Sequence, residues 1–349
     1  MEIDLLCNDG SPIGVIPADV YGRGLGGAEL AMVSLMEVLA KRGHTCRVFN
    51  DPRTGGLHDG VEYMPLGAYS NRAKRDVLII FRSPNARVRW QDLAGIRAIW
   101  WSTDQWTTGN FGEWGKDAHF IVTISPRHTS YLNQVYGLEE KMGHIDLGVR
   151  LQDYQGGIDR VKNRLIFCSI PERGLAVLHA AYPLIKKKVP EASLVITSDY
   201  RLWGVATPGN QEHRLMWAGA EDVQFLGRIP RAELAVHQQQ AEIMSYPCTY
   251  DELFCIAAAE CQVSGAVPVT STFGALPTTN EWGIQLAGHP VSKEFVDQFV
   301  ERIVSLLTNE REYLDTRRVS MMRAARVRFD WDAIAQRWEY LFEHGKLEA

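Results

Sequence analysis

The chain predicts an α/β protein built from two parallel-sheet domains, and three stretches carry that expectation. Residues 2–50 run strand, Gly-rich loop, helix, strand, a crossover that lays both strands in one parallel sheet. The same alternation restarts after Gly148. Residues 225–270 then read as strand, amphipathic helix, strand, loop, helix and strand, and this is the stretch around which the rest is organised.

In chain order, residues 2–8 alternate into a short buried strand. The glycines of Tyr21-Gly22-Arg23-Gly24-Leu25-Gly26-Gly27-Ala28-Glu29 precede a helix to Arg42, with Leu30, Val33, Met36 and Leu39 near one face. Gly43 ends that helix and 45–50 is the second strand. Further strands are expected over 61–65, 77–81, 98–102, 119–125 and 144–147, with a helix over 127–136. The polar stretch 152–163 lacks a core pattern and reads as a linker. A strand over 164–169, a helix over 174–188, a strand over 193–197, the 225–270 stretch and a strand over 284–287 make the second sheet. The end is helical over 294–307, 310–327 and 331–344, with Asp330 as the last helix's cap. The domains therefore run 1–150 and 151–328, followed by a terminal helical segment over 329–349.

A length of 349 residues with 46% apolar composition supplies two cores. The net charge of −5 offers no basic field for a nucleic-acid partner. Six cysteines without a CxxC read as core residues in a reducing compartment. No apolar run is long enough for a bilayer and the chain opens on a strand, so a cytoplasmic location is expected. Lys186-Lys187-Lys188 reads either as a dock for anionic lipid, hence peripheral membrane contact, or as the solvated last turn of a helix.

The chemistry concentrates after Pro247, which stops a strand. Asp251 and Glu252 occupy N-cap and first-turn positions of a helix that is apolar over 254–263 apart from Glu260, Cys261 and Gln262. Glu260 then lies two turns inside among apolar neighbours, where it needs a hydrogen-bonding partner. Backbone N–H groups at 253–256 and the positive helix end suit a diphosphate, and Glu260 suits a vicinal diol such as ribose.

The pattern Glu252-x7-Glu260, followed by Ser264-Gly265-Ala266-Val267-Pro268-Val269, resembles the E-x7-E signature of retaining GT-B glycosyltransferases of family 4. Other pieces follow in the family's order. Gly26-Gly27-Ala28-Glu29 with Leu39-Ala40-Lys41-Arg42-Gly43-His44 is similar to its amino-terminal glycine loop and strand approach. Residues 117–125 and 146–154 are similar to its mid-chain segments, Glu172-Arg173-Gly174-Leu175 to its second-domain helix start, and 329–334 to the opening of its last helix.

The resemblance implies two Rossmann-like domains facing across a cleft, with the last helix returning to the first. It implies transfer of a sugar from a UDP- or GDP-sugar to a hydroxyl on a glycan, lipid or small molecule, with retention and without metal or cofactor. Arg173 would face the diphosphate, Glu252 the sugar hydroxyls, and Gly27 a phosphate or acceptor; Gly227 and Ile229 would lie against the base. Phe254, Cys255 and Ile256 would offer amides, and Glu260 would bind ribose. Asp104 would contact the donor sugar or acceptor, in place of the family's first-domain histidine; as an alternative it is an ordinary loop acid.

There are departures. Cys168 stands where the family has an arginine, a loss that Arg201 or Arg228 would have to make good. Leu253 and Cys255 replace frequent glycines, and Thr278 a frequent glutamate. His119 reads as a core or ledge histidine. Trp100, Trp101, Trp106, Phe111 and Trp114 read as core or as a platform for an acceptor sugar.

Two other classes compete. Gly22-x-Gly24-x-x-Gly27 with Asp51 matches an NAD-binding fingerprint of an oxidoreductase, although residues 9–21 separate it from its strand. A catalytically weak sugar-nucleotide binding module is suggested by Cys168. Asp330-Trp331-Asp332, read as a metal-binding Asp-x-Asp, would belong to a different transferase architecture, but it opens a terminal amphipathic helix.

Overall fold

Apolar strands alternate with helices along the chain, and the computed structural model gathers them into two units. It describes residues 1–7, 14–82, 88, 90–103, 115–203 and 209–348. One unit comprises Met1–Val20, Gly27–Gly148 and Asp330–Ala349, the other Tyr21–Gly26 and Val149–Phe329. The boundary expected at residue 150 thus falls at Gly148. The segment Tyr21–Gly26, expected in the first domain, belongs to the second unit.

In the first unit, eight described strands form one sheet: β1 (Glu2–Leu6), β2 (Thr45–Phe49), β3 (Gly56–His58), β4 (Val61–Met64), β5 (Val77–Phe81), β6 (Arg97–Trp101), β7 (Phe120–Thr123) and β8 (Met142–His144). Their order is β3-β4-β2-β1-β5-β6-β7-β8, and every pairing is parallel except β3 with β4. Among its helices, α1 (Pro17–Gly22) continues into the Tyr21–Gly26 segment, α2 is Gly27–Lys41 and α3 is Pro126–Tyr136. The central strands β1, β5, β6 and β7 are buried on both faces, as the middle of a parallel sheet requires, and β5 is wholly buried. The C-terminal helix, Trp331–His344, is part of this unit. Its Glu339 accepts from Arg42 at 2.7 and 2.9 Å, and Trp338 meets Trp101 edge-on at 5.1 Å.

The second unit carries β9 (Arg164–Phe167), β10 (Ser193–Ile196), β11 (Val223–Phe225), β12 (Ile243–Tyr246), β13 (Val267–Ser271) and β14 (Ile284–Leu286) in the order β11-β10-β9-β12-β13-β14, all parallel. Its helices are α4 (Leu175–Lys188), α5 (Gly209–Met216), α6 (Arg231–Gln240), α7 (Ile256–Ser264), α8 (Leu276–Thr279), α9 (Lys293–Leu307) and α10 (Arg311–Arg328). The presumed linker 152–163 has a core residue after all. Tyr154 is fully buried, because its hydroxyl reaches Gln238 at 2.6 Å. Asp330 caps the last helix, α11, by accepting from the Asp332 amide.

Candidate active site

In an open parallel sheet, ligands bind outside the carboxyl ends of the strands where the strand order reverses. In the second unit that place is between β9 and β12, which pair directly. β9 leads through Cys168 and Ser169 to a 3-10 turn, Pro171–Arg173, and β12 leads through Pro247 to the loop before α7. The two loops can touch because Gly174 has φ +117° and no side chain; a Cβ there would overlap the Pro247 carbonyl oxygen.

This approach brings Arg173 to Glu252. Its Nη1 donates to both carboxylate oxygens, at 2.9 and 3.0 Å, and its guanidinium lies over the Tyr250 ring at 4.5 Å. The Glu252 side chain is 3% exposed, whereas that of Arg173 keeps 21% in contact with solvent. Burial pulls the Arg173 pKa down, but the Glu252 charge outweighs it and leaves the group above the ordinary arginine range. Tyr246, at the end of β12, donates to Glu252 Oε1 at 2.5 Å.

The loop that holds Glu252 differs from the expected helix start. α7 begins at Ile256, so neither Asp251 nor Glu252 caps it, and Glu260 lies little more than one turn inside rather than two. The reason is a backbone tie. Ala275 donates to the Glu252 carbonyl at 2.7 Å, and Gly274, at φ +60°, packs so closely that a Cβ would overlap the Glu252 backbone. Cys255, the residue before the helix, has φ +72° and ψ +73°, with no side-chain cap. This is the left-handed region that glycine adopts without strain and that a cysteine occupies at a cost. The Ala258 and Ala259 amides of α7 turn back to the Cys255 carbonyl, at 3.1 and 3.4 Å, so any amides that the helix offers lie at its very start, at Ile256 and Ala257.

Glu260 has the partner that burial demands. Its Oε1 takes Arg231 Nη1 at 2.6 Å and its Oε2 takes Gln238 Nε2 at 3.1 Å. Arg231 also donates through Nε to Asp153 Oδ2 at 2.5 Å and through Nη2 to Tyr154 Oη at 3.2 Å. Arg231, Gln238, Tyr154, Asp153 and Tyr246 were not singled out from the sequence. Arg231 carried a readable signal, since it opens a helix at the end where the dipole disfavours a cation.

Other expected residues are placed as follows. Gly227 follows β11 at φ +73°, beside Asp199 and Arg214. A Cβ on Gly24 would lie 2.7 Å from the Ile229 carbonyl oxygen, so Gly24 provides the close approach in this unit. Gly27 opens α2 in the first unit. Phe254 is buried edge-on to Phe329 at 5.9 Å.

Neither candidate substitute for the missing arginine reaches the Glu252 group. Arg201 donates to both oxygens of Asp199, with Nε distances of 2.9 and 3.0 Å, and Arg228 donates to the carbonyls of Gly24 and Arg201 at 2.7 and 3.2 Å. The Cys168 thiol instead faces Cys261, with the sulfurs 3.8 Å apart. Asp104, Trp106, Phe111 and Trp114 lie outside the described residues. Trp100 and Trp101 are core: the first donates to the Arg82 carbonyl at 2.6 Å and the second packs against Phe81 and Trp338.

His119 is exposed rather than core, accepting from the Ala98 amide at 3.0 Å. The dinucleotide fingerprint fails on geometry, because Gly22 ends α1 rather than following β1, and Asp51 accepts from the Leu66 amide. Among the described residues, no group of three or more His, Cys, Asp or Glu is arranged to hold a metal, and no helix is long and apolar enough to cross a membrane.

Residues 162–309 match the family model of glycosyl transferases group 1. Curated relatives are the phosphatidyl-myo-inositol mannosyltransferases of Mycobacterium tuberculosis and Mycobacterium bovis, each 26% identical over 179 residues. That match takes in 50% of this chain and 44% of each relative, so the chain spans less than half the length of the relatives it matches. Solved structures similar over the whole chain include a glycosyltransferase from Rickettsia africae, with a TM-score of 0.74, 13% identity and coverage of 99% of this chain and 98% of that one. Sucrose-phosphate synthase from Thermosynechococcus elongatus gives 0.71, 16% and 98% of both chains. Anabaena HepE in complex with UDP and glucose gives 0.68, 14%, and 98% and 100%. The chain has the GT-B glycosyltransferase fold, and its second unit carries the glycosyl transferases group 1 region.

Proposed function

We propose that the protein is a retaining glycosyltransferase that moves a sugar from a nucleoside-diphosphate sugar, UDP- or GDP-linked, to a hydroxyl acceptor without a metal. The observation that carries this reading is the Arg173–Glu252 pair at the reversal point of the second sheet, beside the amino end of α7. Breaking the anomeric bond places negative charge on the departing diphosphate and positive character on the sugar. Arg173, with one edge open to solvent, and the α7 amides address the first charge. Glu252 accepts from the sugar hydroxyls. Each Glu260 oxygen, with one protein donor accounted for, has a second lone pair for the ribose diol. Phe254, Cys255 and Ile256 supply backbone donors, and Gly227 and Ile229 supply backbone against the base.

The relatives support a nucleotide sugar. The mycobacterial proteins are named for mannosyl transfer to phosphatidyl-myo-inositol, and the Anabaena structure holds UDP and glucose. The acceptor class is glycan, lipid or small molecule.

The test is a thermal-shift screen of nucleoside diphosphates followed by a donor-consumption assay. A ligand at a hundred times its dissociation constant adds about 2.7 kcal/mol of stability. Glu252→Ala and Arg173→Ala each lower turnover by about 100-fold or more while the protein stays folded. Wild-type rates from either variant remove that residue from the mechanism. A second reading, a sugar-nucleotide binding module without efficient transfer, is favoured by Cys168 standing in place of a cation. Donor binding without consumption over a broad acceptor panel would establish it instead.

A further inference from the structure

Glu252 is held by more than its arginine. Tyr246 is fully buried, its ring packs against Phe167 at 5.6 Å, and its hydroxyl lies 2.5 Å from Glu252 Oε1 and 3.2 Å from Ser169 Oγ. A tyrosine hydroxyl has one proton, and a carboxylate can only accept it. The Ser169 hydroxyl must then donate to Tyr246, which gives a directed chain from Ser169 through Tyr246 to Glu252. Burial raises the phenol's pKa well above its ordinary value, and the charge of Glu252 raises it further, so the group stays protonated.

The chain has a mechanical meaning. Tyr246 ends β12 and so sits on the sheet, and Ser169 lies in the bend two residues past β9, the other strand that flanks the reversal point. Arg173 approaches the carboxylate from one side through a single nitrogen, Nη1, which leaves the carboxylate free to rotate about that contact. The tyrosine bond to Oε1 removes this freedom and fixes which way Glu252 faces.

We infer that Tyr246 is a positioning residue for the sugar-recognising carboxylate, with Ser169 setting the direction of its hydroxyl. This rests on the proposed role of Glu252 and deepens it: the sugar moiety, not the diphosphate, is what Tyr246 governs.

The experiment compares binding of UDP and GDP with binding of UDP-glucose and GDP-mannose, by calorimetry, to wild-type protein and Tyr246→Phe. The phenylalanine keeps the buried ring and removes only the hydroxyl. The better-binding sugar conjugate loses about tenfold in affinity, while its parent diphosphate changes less than twofold, because a hydrogen bond to a charged group is lost at the sugar subsite alone. A general packing defect would weaken both ligands together. Ser169→Ala produces a smaller loss in the same direction and decides the matter if Tyr246→Phe does not fold. In a Glu252→Ala background, where the acceptor is gone, Tyr246→Phe has no further effect. Equal losses for conjugate and diphosphate, or no loss for either, overturn the inference while leaving the glycosyltransferase reading intact. Wild-type protein that binds none of the four ligands overturns that reading, and this inference with it.

Discussion

Among the arginine–carboxylate pairs of the second unit, Arg231–Glu260 and Arg173–Glu252 differ in one respect. In the Arg231–Glu260 pair the side chains are 6% and 4% exposed; in the Arg173–Glu252 pair they are 21% and 3% exposed. Burial pulls down the pKa of each arginine, and the neighbouring acids raise it beyond the ordinary range in both. The sealed guanidinium has its donors spent on Glu260, Asp153 and Tyr154. The other gives one nitrogen to Glu252 and keeps an edge toward solvent. The same chemistry therefore stands in two settings: a sealed pair that ties α6, α7 and the turn at Asp153 together, and a pair whose arginine keeps contact with solvent.

Removing each arginine tests this contrast most severely. Arg231→Ala leaves Glu260 and Asp153 buried beside an emptied space, and breaking such a pair from one side costs about 3–5 kcal/mol. Arg173→Ala leaves Glu252 with the Tyr246 hydroxyl and with water at the open edge, so the loss is about 1–2 kcal/mol. Urea unfolding of both variants reads the difference directly. Equal losses would erase the distinction between the sealed pair and the solvent-contacting one.

A second variant disturbs only the open pair. Gly274→Ala places a methyl group against the Glu252 backbone at a φ of +60°, so the loop must shift. Overpacking of this kind costs about 2 kcal/mol, and the shifted Glu252 lowers the affinity for a nucleotide sugar at the same time. Stability lost with sugar affinity unchanged would show that Glu252 is not placed by this loop.

The contrast was only half legible in the sequence. Strong periodicity located the strands, and β5 and α11 have the boundaries that the pattern predicts. A buried acid at Glu260 was readable because apolar neighbours surround it, and its need for a partner followed from the cost of an unpaired charge. The partner was not readable, since Arg231 lies 29 residues away on another helix and only the fold closes that distance. Tyr154 was hidden for the same reason: a single aromatic in a polar run makes no pattern, yet it fills the core beside Gln238. The start of α7 was misplaced because acids beside an apolar run signal an N-terminus, whereas a tertiary bond from Ala275 draws Glu252 out of the helix.

The smallest expected effect concerns Cys255, which turns the chain from the Glu252 loop into α7. A non-glycine residue in the left-handed region carries a cost of about 1–2 kcal/mol, and Cys255 has φ +72°. Its side chain is 7% exposed and packs in the core, so truncation also loses apolar contact. Cys255→Ala loses that contact and keeps the strain. Cys255→Gly loses slightly more contact and relieves the strain, so it matches the alanine variant or exceeds it by up to about 1 kcal/mol. At Ala258, fully buried two residues into the helix, the ordinary order holds and Ala258→Gly costs about 1 kcal/mol. The opposite ordering at the two positions, read from unfolding midpoints, ties the loop's conformation to the residue that precedes the helix. A glycine penalty at Cys255 equal to that at Ala258 would mean that the left-handed turn is not what brings the amino end of α7 to the Arg173–Glu252 pair.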